Sequence, residues 1–518
     1  MSLIRAISTV GSMTLASRVL GFLRDILIAR YLGAAMAADC FFVAFKLPNF
    51  FRRLTAEGAF SAAFVPLFAK ALGDRETAGS RVHAKAFAED ALAVLLAVLL
   101  AFTAILQIAM PWAMLALAPG FADEPEKFAL AVELTRLTFP YLALISLVAL
   151  LTGVLNALGR FAAGAAAPIG LNIVLIASLL MVNDTDILTA RALAVAVSLA
   201  GIAQFVWLLI AAARAGYPLR LRVPRITPGI RRLVRIMLPV ALGAGVTQIN
   251  LVVDVILASL LPEGSLSFLF YADRLNQLPL GVIGIAVGTV LLPRLSRSLS
   301  GDRAGDAMAE HNRALEFALL LTLPAAAALA IIPTPLIRAL FEQGAFMADD
   351  TLATARALTA FAVGLPAFVL VKVLIPGFYA REDTRTPMRI AIVVFSLNIA
   401  LSIALMFPLR HVGLALSTSL AAWVHAALLM VILHRRGHFS VDDRLKRRLA
   451  RIAASVAGLA AALLALDAGL TPLADTGKSG QIAAVALLVG GGLAVYAGLA
   501  LLSGAARTSD LRRALRRA

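Results

Sequence analysis

The feature that most constrains this chain is an apolar run of about 20 residues that recurs from one end of the sequence to the other. A helix of that length crosses a hydrocarbon core about 30 Å thick. Of the 518 residues, 61% are hydrophobic and 15% are charged, whereas soluble proteins average about 25% charged residues. The sequence therefore predicts an all-α polytopic membrane protein rather than a water-soluble chain with a large core.

The apolar runs predict fourteen transmembrane helices. They lie near residues 7–31, 36–58, 86–110, 130–156, 162–182, 190–212, 235–261, 267–292, 313–333, 353–379, 387–408, 412–433, 449–468 and 480–503.

Basic residues fall in every second loop, and residues 214–235 alone contain seven arginines. The alternate loops are neutral or acidic, as in "PGFADEPEKF" and "MADD". Because positive charge stays on the cytoplasmic side, both termini are expected in the cytoplasm. The net charge of +17 follows from these short loops, so it indicates topology and not a surface for nucleic acid.

A faint internal repeat relates the two halves of the chain. An offset of 226 residues places "LNI" around Asn172 on "LNI" around Asn398, and an offset of 229 places Asp25 on Asp254. Transporters are commonly built from such repeats, with the substrate site between them. We therefore predict a lobe of helices 1–6 (residues 1–220), a lobe of helices 7–12 (221–440), and two extra helices with a basic tail (441–518).

Charged residues lie inside several predicted spans. Arg18, Arg24 and Asp25 share one face of helix 1, and an arginine at mid-membrane costs about 2.5–3.5 kcal/mol on insertion scales. Two simpler interpretations are side chains that reach the interface from helix ends, and ion pairs between helices, such as Arg24 with Asp39.

Counting charges favours a cavity over those two interpretations. In predicted helices 1, 2 and 8 the cations Arg18, Arg24, Lys46, Arg52 and Arg274 outnumber the acids Asp25, Asp39 and Asp273. Excess buried positive charge requires water or an anion, and the planar guanidinium matches phosphate oxygens in pairs. The sequence predicts a cavity for a phosphorylated amphiphile.

Several long motifs resemble one family. "SRVLGFLRD", "FFVAFKLPNFFRR", "AEGAFSAAFVPLF", "FYADRLNQLPLGVIGIAVGTVLLPRLS" and "KVLIPGFYAREDTRTP" are similar to the MurJ (MviN) family of bacterial lipid II flippases, in the multidrug/oligosaccharidyl-lipid/polysaccharide exporter superfamily. The resemblance runs from the first residue through predicted helix 12. It implies two six-helix lobes around a cationic cavity, and a hydrophobic groove formed by the last two helices.

The resemblance also implies a substrate and its binding residues. The substrate would be lipid II, the undecaprenyl-diphosphate-linked peptidoglycan precursor, carried by a monomer in the bacterial inner membrane among membrane lipids. The substrate-binding residues matched by motif are Arg18, Arg24, Asp25, Asp39, Arg52 and Arg274. Asn276 and Gln277 depart from relatives that carry an acid there.

Other functions remain as alternatives. A flippase for another polyprenyl-diphosphate sugar would use the same chemistry, and a drug or ion antiporter of the same superfamily would need an acidic or aromatic cavity. An enzyme is not expected, because the sequence contains no nucleophile elbow and no H-E-x-x-H. His434 and His438 have a metal-like spacing but lie in a basic loop, so we expect no metal there.

Ion coupling is expected at the second half of the repeat. Asp254 occupies the position of Asp25, but Val253 replaces Arg24, and an acid of this kind often marks an ion pathway. Asn398 and Thr418 would supply neutral oxygens to sodium, and the family resemblance points the same way. Proton binding by Asp254 is the alternative, as are a neutral Asp254 and its pairing with Arg274. No other cofactor is expected.

Overall fold

The computed structural model describes residues 3–53, 60–73, 77–182, 186–300 and 304–506. Within these ranges the chain forms helices and no strand. The helices are α1 (Leu3–Leu32), α2 (Met36–Arg52), α3 (Ser61–Leu72), α4 (Ala78–Leu117), α5 (Pro125–Thr138), α6 (Tyr141–Ala157), α7 (Ala162–Met181), α8 (Asp186–Arg214), α9 (Pro228–Ser259), α10 (Ser265–Ser300), α11 (Ala304–Ile331), α12 (Pro333–Phe341), α13 (Ala348–Tyr379), α14 (Arg385–Arg435), α15 (Asp443–Ala474) and α16 (Lys478–Leu502).

The helices have the length and composition of membrane spans. In the described part of the chain, nine helical stretches are long and apolar enough to cross a bilayer. Within the described residues, each predicted span lies mostly in helix, and the exceptions are turn or bend residues at span ends or at a break in the span. The prediction of an all-α polytopic membrane protein is therefore confirmed.

The longest helical stretch, α14, is interrupted at one residue. Arg410 has φ 52° and ψ −132°, values that no α-helix contains. The chain folds back there, since the Ser402 and Ser417 hydroxyl oxygens lie 2.6 Å apart. A side chain at Gly413 would put its Cβ 2.2 Å from the Leu405 carbonyl oxygen, so only glycine fits beside the turn. The break separates the two spans predicted at 387–408 and 412–433.

The helices differ from the sequence-based segments in two ways. The span predicted at 130–156 is divided between α5 and α6 by a turn at Phe139–Pro140, because proline has no N–H to continue a helix. The shorter helices α3 and α12, with 12 and 9 residues, were not predicted as separate elements.

Residue contacts divide the chain into two compact units, Met1–Ser267 and Phe268–Ala518. In the first unit, α1 packs on α7, α2 on α5, and α6 on α8. In the second unit, α13 packs on α14 and α11, and α15 packs on α11 and α16. The lobes predicted from the sequence repeat, 1–220, 221–440 and 441–518, stay predictions.

Candidate functional site

Arg24 and Asp25 lie buried next to each other on α1, with 6% and 1% of their surfaces exposed. The Arg24 guanidinium donates to Asp25 Oδ1 from Nε at 3.0 Å and from Nη2 at 2.6 Å. Its Nη1 donates to Asn172 Oδ1 on α7 at 3.0 Å, and the Phe45 ring centroid lies 5.9 Å from the guanidinium carbon. We call Arg24, Asp25 and Asn172 the Arg24 network.

Asn172 orients this network from α7. Its Nδ2 donates to the main-chain oxygens of Ser17 on α1 at 3.0 Å and Pro168 on α7 at 3.2 Å. The amide oxygen therefore points at Arg24, and the close packing of α1 on α7 fixes it there. Sequence reasoning used Asn172 only to align the repeat and missed this contact, although a polar residue inside an apolar span was the available signal.

The Arg24 guanidinium retains donor capacity. A guanidinium carries five N–H groups, and three hydrogen bonds are formed within the network. One N–H therefore remains on each terminal nitrogen, available to phosphate or carboxylate oxygens.

Asp39 lies at a different place from the Arg24 network. Its carboxylate on α2 accepts the Gly264 N–H at 2.8 Å, the Ser267 N–H at 3.0 Å and the Ser267 hydroxyl at 2.6 Å. It thus caps the first turn of the helix that begins at Ser265, where unpaired N–H groups favour a negative charge. The alternative pairing of Arg24 with Asp39 is wrong, because Arg24 binds its own neighbour.

A buried lysine near Asp39 escaped the sequence analysis. Lys127 of α5 is 2% exposed. Its Nζ lies 3.5 Å from Glu124 Oε1 and 4.7 Å from the Phe121 ring centroid. Sequence reasoning placed Lys127 in a loop, because the polar composition of "PGFADEPEKF" gives no sign that this residue, in the first turn of α5, is buried.

The other predicted arginines have different surroundings. Arg18 of α1 is exposed and, within the part of the chain that the structure describes, makes no hydrogen bond or ion pair. Arg52 at the end of α2 is half-buried and donates from Nε to Asn49 Oδ1 at 3.0 Å. In the second unit, Arg274 of α10 is half-buried, with its guanidinium carbon 4.9 Å from the Phe270 ring centroid.

Each residue predicted for ion coupling has its own surroundings in the structure. Asp254 is half-buried on α9 of the first unit. In the second unit, Asn398 of α14 is 4% exposed, and the Thr418 hydroxyl donates to the Leu414 carbonyl at 3.0 Å. Among the described residues, no three histidine, cysteine, aspartate or glutamate side chains are grouped as a metal site would require.

The fold is shared with membrane transporters of known structure. An inward-facing multidrug resistance MATE family transporter of the MOP superfamily matches with a TM-score of 0.61 and 15% identity, covering 83% of this chain and 98% of that one. At that identity the likeness shows a shared fold alone. A structure of lipid II flippase MurJ in an inward closed conformation matches with a TM-score of 0.75 and 25% identity, covering 95% of this chain and 98% of that one.

Sequence comparison narrows this class to one family. The family model for lipid II flippase MurJ matches residues 28–472. A probable lipid II flippase MurJ of Rhizobium tropici is 45% identical, over 100% of this chain and 97% of the relative. A lipid II flippase MurJ of Burkholderia cenocepacia is 39% identical, over 84% and 85%. The chain belongs to the lipid II flippase MurJ family.

Proposed function

We propose that this chain transports lipid II from the inner to the outer leaflet of the bacterial cytoplasmic membrane, by alternating access, for cell-wall synthesis. Relatives that align over the whole chain carry this activity in their names, and the multi-pass apolar helices place the protein in the membrane. The protein is a transporter and not an enzyme.

The observation that carries the proposal is the buried Arg24 network. Burying an arginine inside an apolar membrane helix costs free energy, and Arg24 is 6% exposed. Residues of this kind commonly mark a functional site. Its two remaining N–H groups suit one oxygen pair of a diphosphate, which distinguishes this site from one for a cationic drug. Arg18, without a partner in the described chain, supplies a second charge on the same helix.

Arg52 in the first unit and Arg274 in the second unit are further candidate contacts of the diphosphate because they match the family motifs, while Asp25 positions Arg24. Asp39 accepts hydrogen bonds from the turn at residues 264–267 and thereby holds it against α2. The isoprenoid tail remains in the lipid or along helices α15 and α16.

The topology that supports this activity has fourteen crossings, with both termini in the cytoplasm. Two six-helix lobes are followed by α15 and α16, and the protein acts as a monomer. The alternation of basic and acidic loops supports the orientation. A reporter enzyme that is active only in the cytoplasm should be active when it is fused after residue 518, and a reporter that is active only outside the cytoplasm should be inactive there.

Coupling to an ion is assigned to Asp254. In the first half of the repeat, the Arg24 guanidinium bridges an acid and an amide. The sequence repeat matches that acid and amide to Asp254 and Asn398 but replaces the arginine by Val253. The proposed coupling ion at Asp254 is sodium or a proton, and Asn398 and Thr418 stay predictions as neutral ligands.

The Asp254→Asn variant tests this assignment in liposomes with an imposed ion gradient. Moving one charge is worth about 2.3 kcal/mol per 100 mV, enough to shift a rocking equilibrium more than tenfold. We expect slower transport that no longer follows the sodium or proton gradient, with lipid II binding unchanged. Transport by the variant that still follows the gradient would remove Asp254 from the coupling site.

Depletion of the protein in cells tests the transport itself. Lipid II should accumulate in the inner leaflet, where an externally added lipid II-cleaving toxin cannot reach it. Undiminished cleavage in depleted cells that lack another flippase would contradict the proposed function.

A further inference from the structure

The segment between α8 and α9 has an unusual composition. Residues 218–227, called here the strap, read "PLRLRVPRIT" and form no helix. Arginine and apolar residues alternate along it, and the wider stretch 214–235 contains seven arginines and no acidic residue.

The strap is held in place by a buried carboxylate. Glu89 of α4 is 1% exposed. Its Oε1 accepts the N–H of Arg220 at 3.0 Å, and its Oε2 lies 2.6 Å from Arg222 Nη2. Just before the strap, Tyr217 is fully buried beneath the Arg81 guanidinium, 5.2 Å from its ring centroid. The strap therefore has a defined position at both of these points.

This anchoring turns apolar side chains outward. Leu221, Val223 and Ile226 are 66%, 73% and 72% exposed, and Val82 of neighbouring α4 is 70% exposed. A group of exposed apolar side chains rimmed by charges marks a surface that contacts a partner. Because the strap joins two membrane helices on the basic side of the chain, the available apolar phase is the membrane.

A basic pocket adjoins the strap, since it is formed by α4, by α3 and by the start of α9. Its volume is about 320 Å³, and it is lined by the basic Lys70, His83 and Arg232 and the apolar Leu67, Ala71 and Phe87. Within the described residues, none of the three basic side chains takes part in a hydrogen bond or an ion pair.

We propose that the strap and this pocket bind an anionic phospholipid of the cytoplasmic leaflet. The phosphate of the headgroup lies among Lys70, His83 and Arg232, and Leu221, Val223 and Ile226 enter the acyl boundary. The exposed apolar side chains favour a lipid over free phosphate, and the arginine-rich, acid-free stretch favours an anionic lipid surface over a protein.

A spin label at position 223 tests the membrane contact. Cys40 is the one cysteine of the chain and is fully buried, so Val223→Cys gives a single accessible thiol. In liposomes containing phosphatidylglycerol, the label should collide more with oxygen than with a water-soluble nickel chelate. A label at Ala78→Cys, exposed at the start of α4, should show the reverse. Equal nickel access at both positions would overturn the proposal and identify the strap as a surface for a soluble partner.

Titration with fluorescent phosphatidylglycerol in neutral detergent tests the pocket. Each cation near an anionic lipid contributes about fivefold to binding, so Lys70→Gln combined with Arg232→Gln should weaken it about 25-fold. The charge-matched control combines Lys446→Gln with Arg447→Gln, both exposed on α15, and should change binding little. Equal weakening in both double variants, or complete displacement of the lipid by millimolar inorganic phosphate, would contradict the assignment.

Discussion

The Arg24 network of the first unit and the cluster around Glu316 in the second unit both combine a buried arginine with a buried carboxylate. In the first unit, Arg24 pairs with Asp25, its neighbour on the same helix. In the second unit, the Glu316 carboxylate of α11 forms ion pairs with Arg448 of α15 at 2.5 Å, with Arg313 at 2.6 Å and with Arg444 at 3.3 Å. The first pair joins no two helices, whereas the second joins α11 to α15.

The hydrogen bonds around the two clusters explain why the ion pairs of the second join helices and the ion pair of the first does not. Arg448 also donates to the Ala505 carbonyl at 3.1 Å, which fastens the end of α16 to α15. Among the described residues, Arg24 makes one hydrogen bond to another helix, to Asn172 of α7, and it retains two N–H groups. Burial of an ion pair therefore does not by itself identify a transport site. The distinguishing features are a local partner and unused donors inside the membrane.

The largest effect is expected from Arg24→Ala. Transport should fall at least tenfold, because one hydrogen bond to a charged group is worth about 1.5–3 kcal/mol. The variant also removes the ion pair between Arg24 and buried Asp25, at a cost of about 3–5 kcal/mol in stability. Combining Arg24→Ala with Asp25→Ala should restore stability but not transport.

Complementation of a depleted strain, together with membrane levels and thermal unfolding, separates the two effects. Growth supported by the double variant at normal membrane levels would show that Arg24 and Asp25 form a structural pair only. Arg24→Lys should rescue transport in part, since the charge survives and the fork does not.

Glu316→Gln should have the largest effect on stability in the second unit. Arg448 is 5% exposed and would lose its counter-ion, so the free energy of unfolding should fall by about 3–5 kcal/mol. Arg444→Ala is the matched control, because a side chain 48% exposed contributes less than about 1 kcal/mol. Transport per folded molecule should be unchanged. A well-folded Glu316→Gln protein without transport would remove the distinction between the clusters.

Asn172→Ala tests the link between α7 and Arg24. The variant loses the bond to Arg24 and two bonds to main-chain oxygens, with an expected loss of about 1–3 kcal/mol in stability and a smaller transport defect than Arg24→Ala. Gln204→Ala is the control, because that buried amide binds α7 at the Ala167 carbonyl, 2.7 Å away, without contacting Arg24. Equal transport defects in the two variants would assign the effect to α7 packing.

The smallest effect is expected at the turn between α13 and α14. The Thr386 hydroxyl and N–H, followed by the Arg436 guanidinium, lower the pKa of Asp383 below its usual range. The stabilisation is then complete above the ordinary aspartate pKa of about 4 and is lost as the pH falls through the lower native pKa.

Because Arg436 is 42% exposed, Asp383→Asn should cost less than about 1 kcal/mol at neutral pH. The free energy of unfolding should be measured for the variant and the parent from about pH 8 downward. The difference between them should be constant down to about pH 4 and should shrink below that pH. A difference that grows in acid would contradict the assigned direction.

The sequence predicted the helical segments well, because long apolar runs in a membrane leave the backbone no alternative to helix. It also placed Arg24 and Asp25 on one polar face of α1. The sequence could not predict the partner of Asp39, because Asp39 and Gly264 are 225 residues apart. The donor is a main-chain N–H, which every residue except proline carries. Lys127 and Phe121 are close in the sequence, but the polar composition around them gave no sign that the lysine packs on the ring, so this contact was visible only in three dimensions.

The central claim is that the chain moves lipid II and that Arg24 contacts its diphosphate. The most direct measurement is a reconstituted assay with lipid II in liposomes and an external lipid II-cleaving toxin. With the parent protein, the fraction of lipid II protected in the inner leaflet should decline with time. With Arg24→Ala combined with Asp25→Ala, it should stay at the value of protein-free liposomes. Equal decline with both proteins would contradict the account.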